Sequence, residues 1–212
     1  MDLATSEGLL ALGGDLSVRR LVLAYSSGIF PWPSEGLPLL WFAPPERSVL
    51  HPAQIHVGRS LRKVVSRNVY EVRADTAFAQ VISACAHLPR RHESGTWILP
   101  DMIRAYCALY EAGIAHSVET YLNGELVGGL YGVSLGGLFF GESMFSKADD
   151  ASKVAMVHLA QHLTAWDFDL IDGQVQNHHT ERLGFSPIPR AEYMKRLSLS
   201  LKKETRRGRW SF

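Results

Sequence analysis

Asn123-Gly124 stands between two largely apolar runs, Ile114 to Leu122 and Leu126 to Ser134, and no other feature restricts the fold as much. Both central residues of a type I′ turn need φ above zero. Asn-Gly supplies this at least cost, so the dipeptide reads as the tip of a β-hairpin. A second glycine turn, Gly136-Gly137, leads into Leu138 to Phe145 and completes a three-stranded antiparallel meander. A helix-like segment (Ala151 to Trp166), an apolar strand from Leu170 and a last helix (Arg190 to Leu201) follow. Ahead of the meander, Thr76 to His87 and Pro100 to Glu111 read as helices, the latter stopped by Gly113.

The order β-β-β-α-β-α after a helical lead-in matches the second half of an N-acetyltransferase-like (GNAT-like) fold. The expected class is α+β: a small N-terminal domain over residues 1–50, then a GNAT-like domain over 51–212 with a mostly antiparallel sheet. This is an analogy of architecture and does not fix chemistry. Such folds seat the pyrophosphate of an acyl-CoA on a glycine-rich loop before the central helix. Here that segment is SKADDASK, without glycine, and Asp149 and Asp150 would repel phosphate. Coenzyme A is therefore disfavoured, and no cofactor is expected.

Two short stretches flanking the Ala151 to Trp166 helix carry the candidate chemistry. In LFFGESMFS (Leu138 to Ser146) an apolar start leads to Glu142, and in LIDGQVQNHH (Leu170 to His179) it leads to Asp172 and Gln174. Alternation on a strand points Asp172 and Gln174 to one side, as a candidate polarised acid–amide pair. Gly173 between them leaves room for a backbone or ligand. The plain alternative is two buried strands whose polar groups satisfy one another.

In the first fifty residues, Ser17 to Ser27 reads as a helix capped by Asp15 or Ser17 and ended by Gly28. Five prolines and two tryptophans between Ile29 and Leu50 predict a rigid extended segment. Trp32 and Trp41 suit either the core or a platform for a nucleobase, and Trp97 is a third such candidate. Arg59, Arg62, Lys63 and Arg67 share one helical face with no acid among them, which suits a solvated face or a phosphate-contacting ridge. Arg90-Arg91-His92 and Lys202 to Arg209 are two further basic clusters.

Whole-chain charge says little, since 22 basic and 21 acidic residues leave a formal +1. Cys85 and Cys107 are too few for a disulfide framework and read as reduced thiols, so the cytoplasm is the default compartment. No apolar run is long enough to span a membrane, and the start lacks signal-peptide character. Ser143 lacks the second glycine of a nucleophile elbow, and His158 and His162 lack the glutamate of a zinc HExxH motif, so no metal site is predicted.

GLLALGGDLS, LAYSSGIFPW, LWFAPPERSVL, GTWI, AHSVE, LVGGLYGV, FGESMFS, ASKVA and LIDGQVQNHHTERLG, in this order between Glu7 and Tyr193, resemble the leucyl/phenylalanyl-tRNA–protein transferase family. The resemblance implies transfer of leucine or phenylalanine from its tRNA to a protein beginning with Lys or Arg, which tags the acceptor for N-end rule degradation. It carries the family's catalytic pair onto Asp172 and Gln174 and its pocket glutamate onto Glu142. The donor side-chain pocket falls on Met144 and Leu130, and the aromatics that hold the terminal adenosine fall on Trp32 and Trp97. The family commonly has cysteine where Gly173 stands. Two other readings remain: a ligase using aminoacyl-tRNA with a non-protein amine, and a non-catalytic module binding the tRNA end.

An aminoacyl ester is already activated, so the expected mechanism is direct attack by the acceptor α-amine, without metal or ATP. Asp172 would polarise Gln174, which orients the reacting groups. Glu142 would hold a polar group of the donor such as its α-ammonium.

Overall fold

The computed structural model describes residues 4–88 and 96–212; Arg90-Arg91-His92 and Gly95 lie outside the described residues. The N-terminal part contains β1 (Leu9–Leu12), α1 (Val18–Ser26), β2 (Phe30–Pro31) and β3 (Leu40–Phe42), its strands forming an antiparallel sheet in the order β1-β3-β2. The Ser17 hydroxyl caps α1 by accepting the Arg20 N–H, and Gly28 ends it at φ +72°. Leu21, Ala24 and Tyr25 form its buried face.

The rest of the chain runs β4 (Glu46–Leu50), α2 (Arg59–Ser66), β5 (Glu71–Ala74), α3 (Phe78–His87), α4 (Pro100–Glu111), β6 (Ala115–Leu122), β7 (Glu125–Leu135), β8 (Leu138–Ser146), α5 (Ala151–Ala165), β9 (Leu170–Gln174), α6 (His178–Glu181), β10 (Ser186–Pro189) and α7 (Arg190–Ser200). Seven strands join in the order β10-β4-β9-β8-β7-β6-β5. Every neighbouring pair is antiparallel except β8 and β9. The α+β class and the meander are as expected. Strand β4, on the N-terminal side of the division expected at residue 50, belongs to the large sheet and sits between β9 and β10.

The sheet separates two cores. On one face, Leu21 and Tyr25 of α1, Val81 and Ile82 of α3, Met102 and Tyr106 of α4 and Tyr193 of α7 pack on Tyr131, Val133 and Phe140. On the other, Met156, Leu159 and Leu163 of α5 pack on Leu130, Phe139 and Ile171. This double coverage explains the continuous apolar runs of β7 and β8. The C-terminal tail closes the second face: the Trp210 N–H donates to Asp75 Oδ2 at 2.7 Å, and its ring stacks on His116 at 3.7 Å. No helix among the described residues is long and apolar enough to cross a membrane.

Candidate active site

The site begins where the parallel strands part. Strands β8 and β9 are in register only from Leu138–Leu170 to Phe140–Asp172, yet β8 runs on to Ser146 and β9 to Gln174. Beyond Phe140, β8 bulges against β7: Gly132 faces Gly141 and Tyr131 faces Ser143, leaving Glu142 as the extra residue. Gly141 to Met144 and Gly173-Gln174 are all partly exposed along this split. A Cβ added at Gly141 would meet only the Asp172 carbonyl, at 3.6 Å, so the gap between the strands is open there.

Asp172 is at this place but sealed from solvent, with 0% exposure. Arg47, itself 2% exposed, donates from Nε to Oδ1 at 2.9 Å and from Nη2 to Oδ2 at 2.8 Å. The Tyr193 hydroxyl adds a bond to Oδ2 at 2.6 Å, and the Gln174 backbone N–H adds one to Oδ1 at 2.8 Å. These donors saturate the carboxylate. Burial alone would lower the pKa of the guanidinium, but the Asp172 carboxylate against it raises it above the usual arginine value. Arg47 also donates to the Gly28 carbonyl at 2.9 Å and lies 4.7 Å from the ring centres of both Phe30 and Tyr193. One arginine thus ties the N-terminal sheet and α7 to the end of β9.

Gln174 sits in the left-handed region at φ +61°, an uncommon conformation for a residue with a Cβ. The β4–β9 register slips at the same point, Val49 facing Asp172 and Ser48 facing Gln174. The backbone bond to Asp172 fixes this turn, and the side chain then donates from Nε2 to Glu142 Oε1 at 2.7 Å. The acid–amide pair is therefore Glu142–Gln174, not Asp172–Gln174 as expected. The Asp172 carboxylate takes the glutamine's backbone N–H instead. The room left by Gly173 is filled by the ring of Phe185, only 3.0 Å from where a Cβ would lie, and not by a ligand-sized space.

Among the described residues, no cation pairs with Glu142. Its Oε1 accepts from the Tyr25 hydroxyl at 2.6 Å and its Oε2 from the Tyr106 hydroxyl at 3.0 Å, and the two hydroxyls also bond one another. Desolvation raises its pKa to about 7, against the lowering effect of the bonds from Tyr25, Tyr106 and Gln174, with Asp172 adding a further upward push. Burial, followed by the neighbouring Glu142 charge, keeps both phenols well above their usual pKa, so they stay protonated as donors.

Leu130 and Met144 are cross-strand neighbours, brought together as expected, and face α5. Leu130 is buried at 1% exposure, while Met144 is partly exposed at the split. Trp32 is 40% exposed, rests on Phe30 and Phe42, and lines a cleft of about 430 Å³ with Ser48, Val175 and Gln176. Trp97 is half-buried, just before α4. Trp41 is core, its indole donating to the Gly13 carbonyl.

Arg59, Arg62, Lys63 and Arg67 form an exposed ridge, and among the described residues none of the four is ion-paired. The C-terminal cluster is largely used internally: Lys203 bridges Asp167 and Asp169, Arg206 covers Trp166, and Arg209 covers Tyr110.

Sequence reasoning missed Arg47, Tyr25, Tyr106 and Tyr193. Arg47 alone carried a signal, a lone arginine entering the apolar run Ser48-Val49-Leu50, where a buried cation demands a carboxylate. Nothing in sequence spacing marks tyrosines that meet across more than eighty residues.

Two family models cover the chain: that of the leucyl/phenylalanyl-tRNA protein transferase over residues 49–198, and that of its N-terminal domain over residues 14–45. A leucyl/phenylalanyl-tRNA–protein transferase of Myxococcus xanthus is 54% identical over 208 residues, covering 98% of this chain and 89% of its own. One of Desulforapulum autotrophicum is 52% identical over 210 residues, covering 99% and 92%. One of an Anaeromyxobacter species is 52% identical over 209 residues, covering 99% and 89%. The chain belongs to the leucyl/phenylalanyl-tRNA–protein transferase family.

Proposed function

We propose that this protein transfers leucine or phenylalanine from aminoacyl-tRNA to the N-terminal Lys or Arg of acceptor proteins in the cytoplasm, tagging them for degradation. Beyond family membership, the observation that carries the reading is the split between β8 and β9. It is an open gap edged by a fixed amide and a carboxylate that meet the tyrosines of α1 and α4, with Leu130, Met144 and Ile171 on the α5 face of the same strands. An activated ester needs little more than this. Its carbonyl must be held, the amine aimed, and the developing oxyanion given a donor.

In this reading the donor side chain enters the split toward Met144 and Leu130. Met144 is flexible and part-exposed, so it can give way to a leucine- or phenylalanine-sized group. Cβ-branched and charged side chains would be penalised by crowding and by desolvation, with one methyl group worth about 1–3 kcal/mol. The terminal adenosine stacks on Trp32 in the neighbouring cleft, with Trp97 as second aromatic, and the α2 cations hold backbone phosphates. Gln174 orients the reacting centre, Asp172 acts through the backbone turn that presents it, and Glu142 holds a polar group of the substrates.

The test is transfer of labelled leucine from leucyl-tRNA to a peptide beginning with Arg. The expected result is a peptide longer by one leucine, and no product when the N-terminus is acetylated. Failure of any peptide acceptor, with transfer to a small amine instead, would overturn the reading.

A further inference from the structure

The carboxylate of Glu142 and the hydroxyls of Tyr25 and Tyr106 form a closed ring of three oxygen–oxygen contacts: Tyr25 to Oε1, Tyr106 to Oε2, and hydroxyl to hydroxyl. Two phenolic protons serve these three contacts. When Glu142 is ionised both phenols point at it, and the hydroxyl–hydroxyl contact is left with lone pairs face to face. A single added proton on Oε2 completes the ring. Oε2–H donates to Tyr106, Tyr106 to Tyr25, and Tyr25 to Oε1, while the Gln174 amide keeps its own bond to Oε1. The arrangement has a place for one proton, and of its three members only Glu142 reaches the strand split.

We propose that Glu142, held in this ring, takes the proton from the acceptor's α-ammonium, with Tyr25 and Tyr106 as positioning residues. The inference rests on the aminoacyl-transfer reading given above. In the step, one N–H proton passes to Glu142 and the freed amine attacks the ester carbonyl. The carbon–ribose oxygen bond then breaks, a second amine proton goes to the departing ribose oxygen, and the third stays on the new amide. Glu142 afterwards releases its proton to solvent.

The surroundings favour this carboxylate over its neighbour. Asp172 has no free lone pair and no exposure, whereas Glu142 is partly exposed and, among the described residues, its Oε2 accepts from Tyr106 alone. The groups facing Glu142 are Tyr25 from α1, Tyr106 from α4 with Tyr131 of β7 edge-on to it, and Asp172 and Gln174 from β9. The one nearby buried cation, Arg47, is committed to Asp172. Desolvation without a counter-charge puts the pKa of Glu142 at about 7, close to that of an α-amine, where a proton can move either way.

The experiment measures kcat for transfer from leucyl-tRNA to an Arg-peptide from pH 5.5 to 9, in wild type, Glu142→Gln and Tyr106→Phe. Wild type should lose activity below about pH 7, as Glu142 becomes protonated. Glu142→Gln should be about 100-fold slower, with its acid limb moved up to the pKa of the acceptor α-amine, about 8. It should recover most of the difference with a peptide whose terminal amine is replaced by an aminooxy group, which is uncharged at neutral pH. Tyr106→Phe removes a donor to the ionised form and should move the acid limb to higher pH, a readout that survives if Glu142→Gln fails to fold. An acid limb left at the wild-type position in Glu142→Gln or in Tyr106→Phe, or a defect equally large with the aminooxy peptide, would overturn the proposal. In those cases wild-type transfer would still uphold the activity, while absence of wild-type transfer would strike the activity itself.

Discussion

Asp172 and Glu142 both bond the same glutamine, one through its backbone and one through its amide, yet their environments are opposite. Asp172 is matched by a buried guanidinium and has no exposure; Glu142 is matched by two phenols and borders the open split. The guanidinium gives the Asp172 carboxylate a counter-charge and, with Tyr193 and the Gln174 N–H, fills its lone pairs. A carboxylate solvated only by neutral hydroxyls can change its state near neutrality. The pair divides the labour of the site, with one acid holding the backbone and the other left free to respond.

The sharpest way to break this division is to remove Arg47. Leaving Asp172 as an uncompensated buried charge costs about 3–5 kcal/mol, so Arg47→Ala should melt on the order of 10 °C below wild type. Asp172→Ala should fall by a similar amount, and the double variant by much less than the sum of the two. Thermal melts check this. Additive losses would mean that the two residues support the fold independently.

Next in size is Gln174→Ala. Among the described residues the amide hydrogen-bonds to Glu142, so the fold should survive with a melting shift of about 1–2 °C, while kcat falls about 100-fold as the orienting group disappears. A stable but inactive variant sets it apart from Asp172→Ala. Equal losses of stability in both would merge the two roles.

How much of this was legible beforehand depends on distance along the chain. The helix Pro100 to Glu111, the Asn123-Gly124 hairpin and the meander are local, written in proline, glycine and apolar spacing, and they appear as expected. Strand β10 was not expected, because Pro187 and Pro189 argue against a strand; at the outer edge of the sheet, where one side needs no partner, they are tolerated. Asp172, Gln174 and Glu142 could be singled out as polar groups ending apolar runs. That Arg47 would claim Asp172, and that tyrosines from α1 and α4 would surround Glu142, depends on long-range pairing and on a bulge, which no period in the sequence records. The family resemblance pointed to Asp172, Gln174 and Glu142 together without telling these two acids apart.

A smaller effect concerns the outer ridge, which meets neither acid. Replacing Arg59, Arg62 and Lys63 with Ala should weaken tRNA binding roughly tenfold at moderate salt. The log–log salt slope should fall by about 2–3, close to one for each phosphate that the ridge no longer neutralises. Melting temperature and the pH profile should stay unchanged, which separates affinity for the RNA body from chemistry at the split. An unchanged salt slope would make the ridge a solvated face.

The smallest effect tests Glu142 without any substrate. Its folded pKa of about 7 lies above the ordinary 4.5, so between these values the native chain keeps a proton that the unfolded chain has released. Stability from this source is fully present below about pH 4.5, falls as pH rises toward 7, and is level above it. Glu142→Gln has no such proton, so the difference in melting temperature between wild type and variant should shrink or invert across that range. At about 1.4 kcal/mol per unit the gap would give about 3 kcal/mol in full; water reaching this partly exposed group cuts the expected change to about 1 kcal/mol, or ~2–4 °C in a chain of this size. The sign matters more than the size. Melts at pH 5 and pH 7.5 read that sign directly, and a difference that stays constant between them would show that Glu142 is not held above its ordinary pKa.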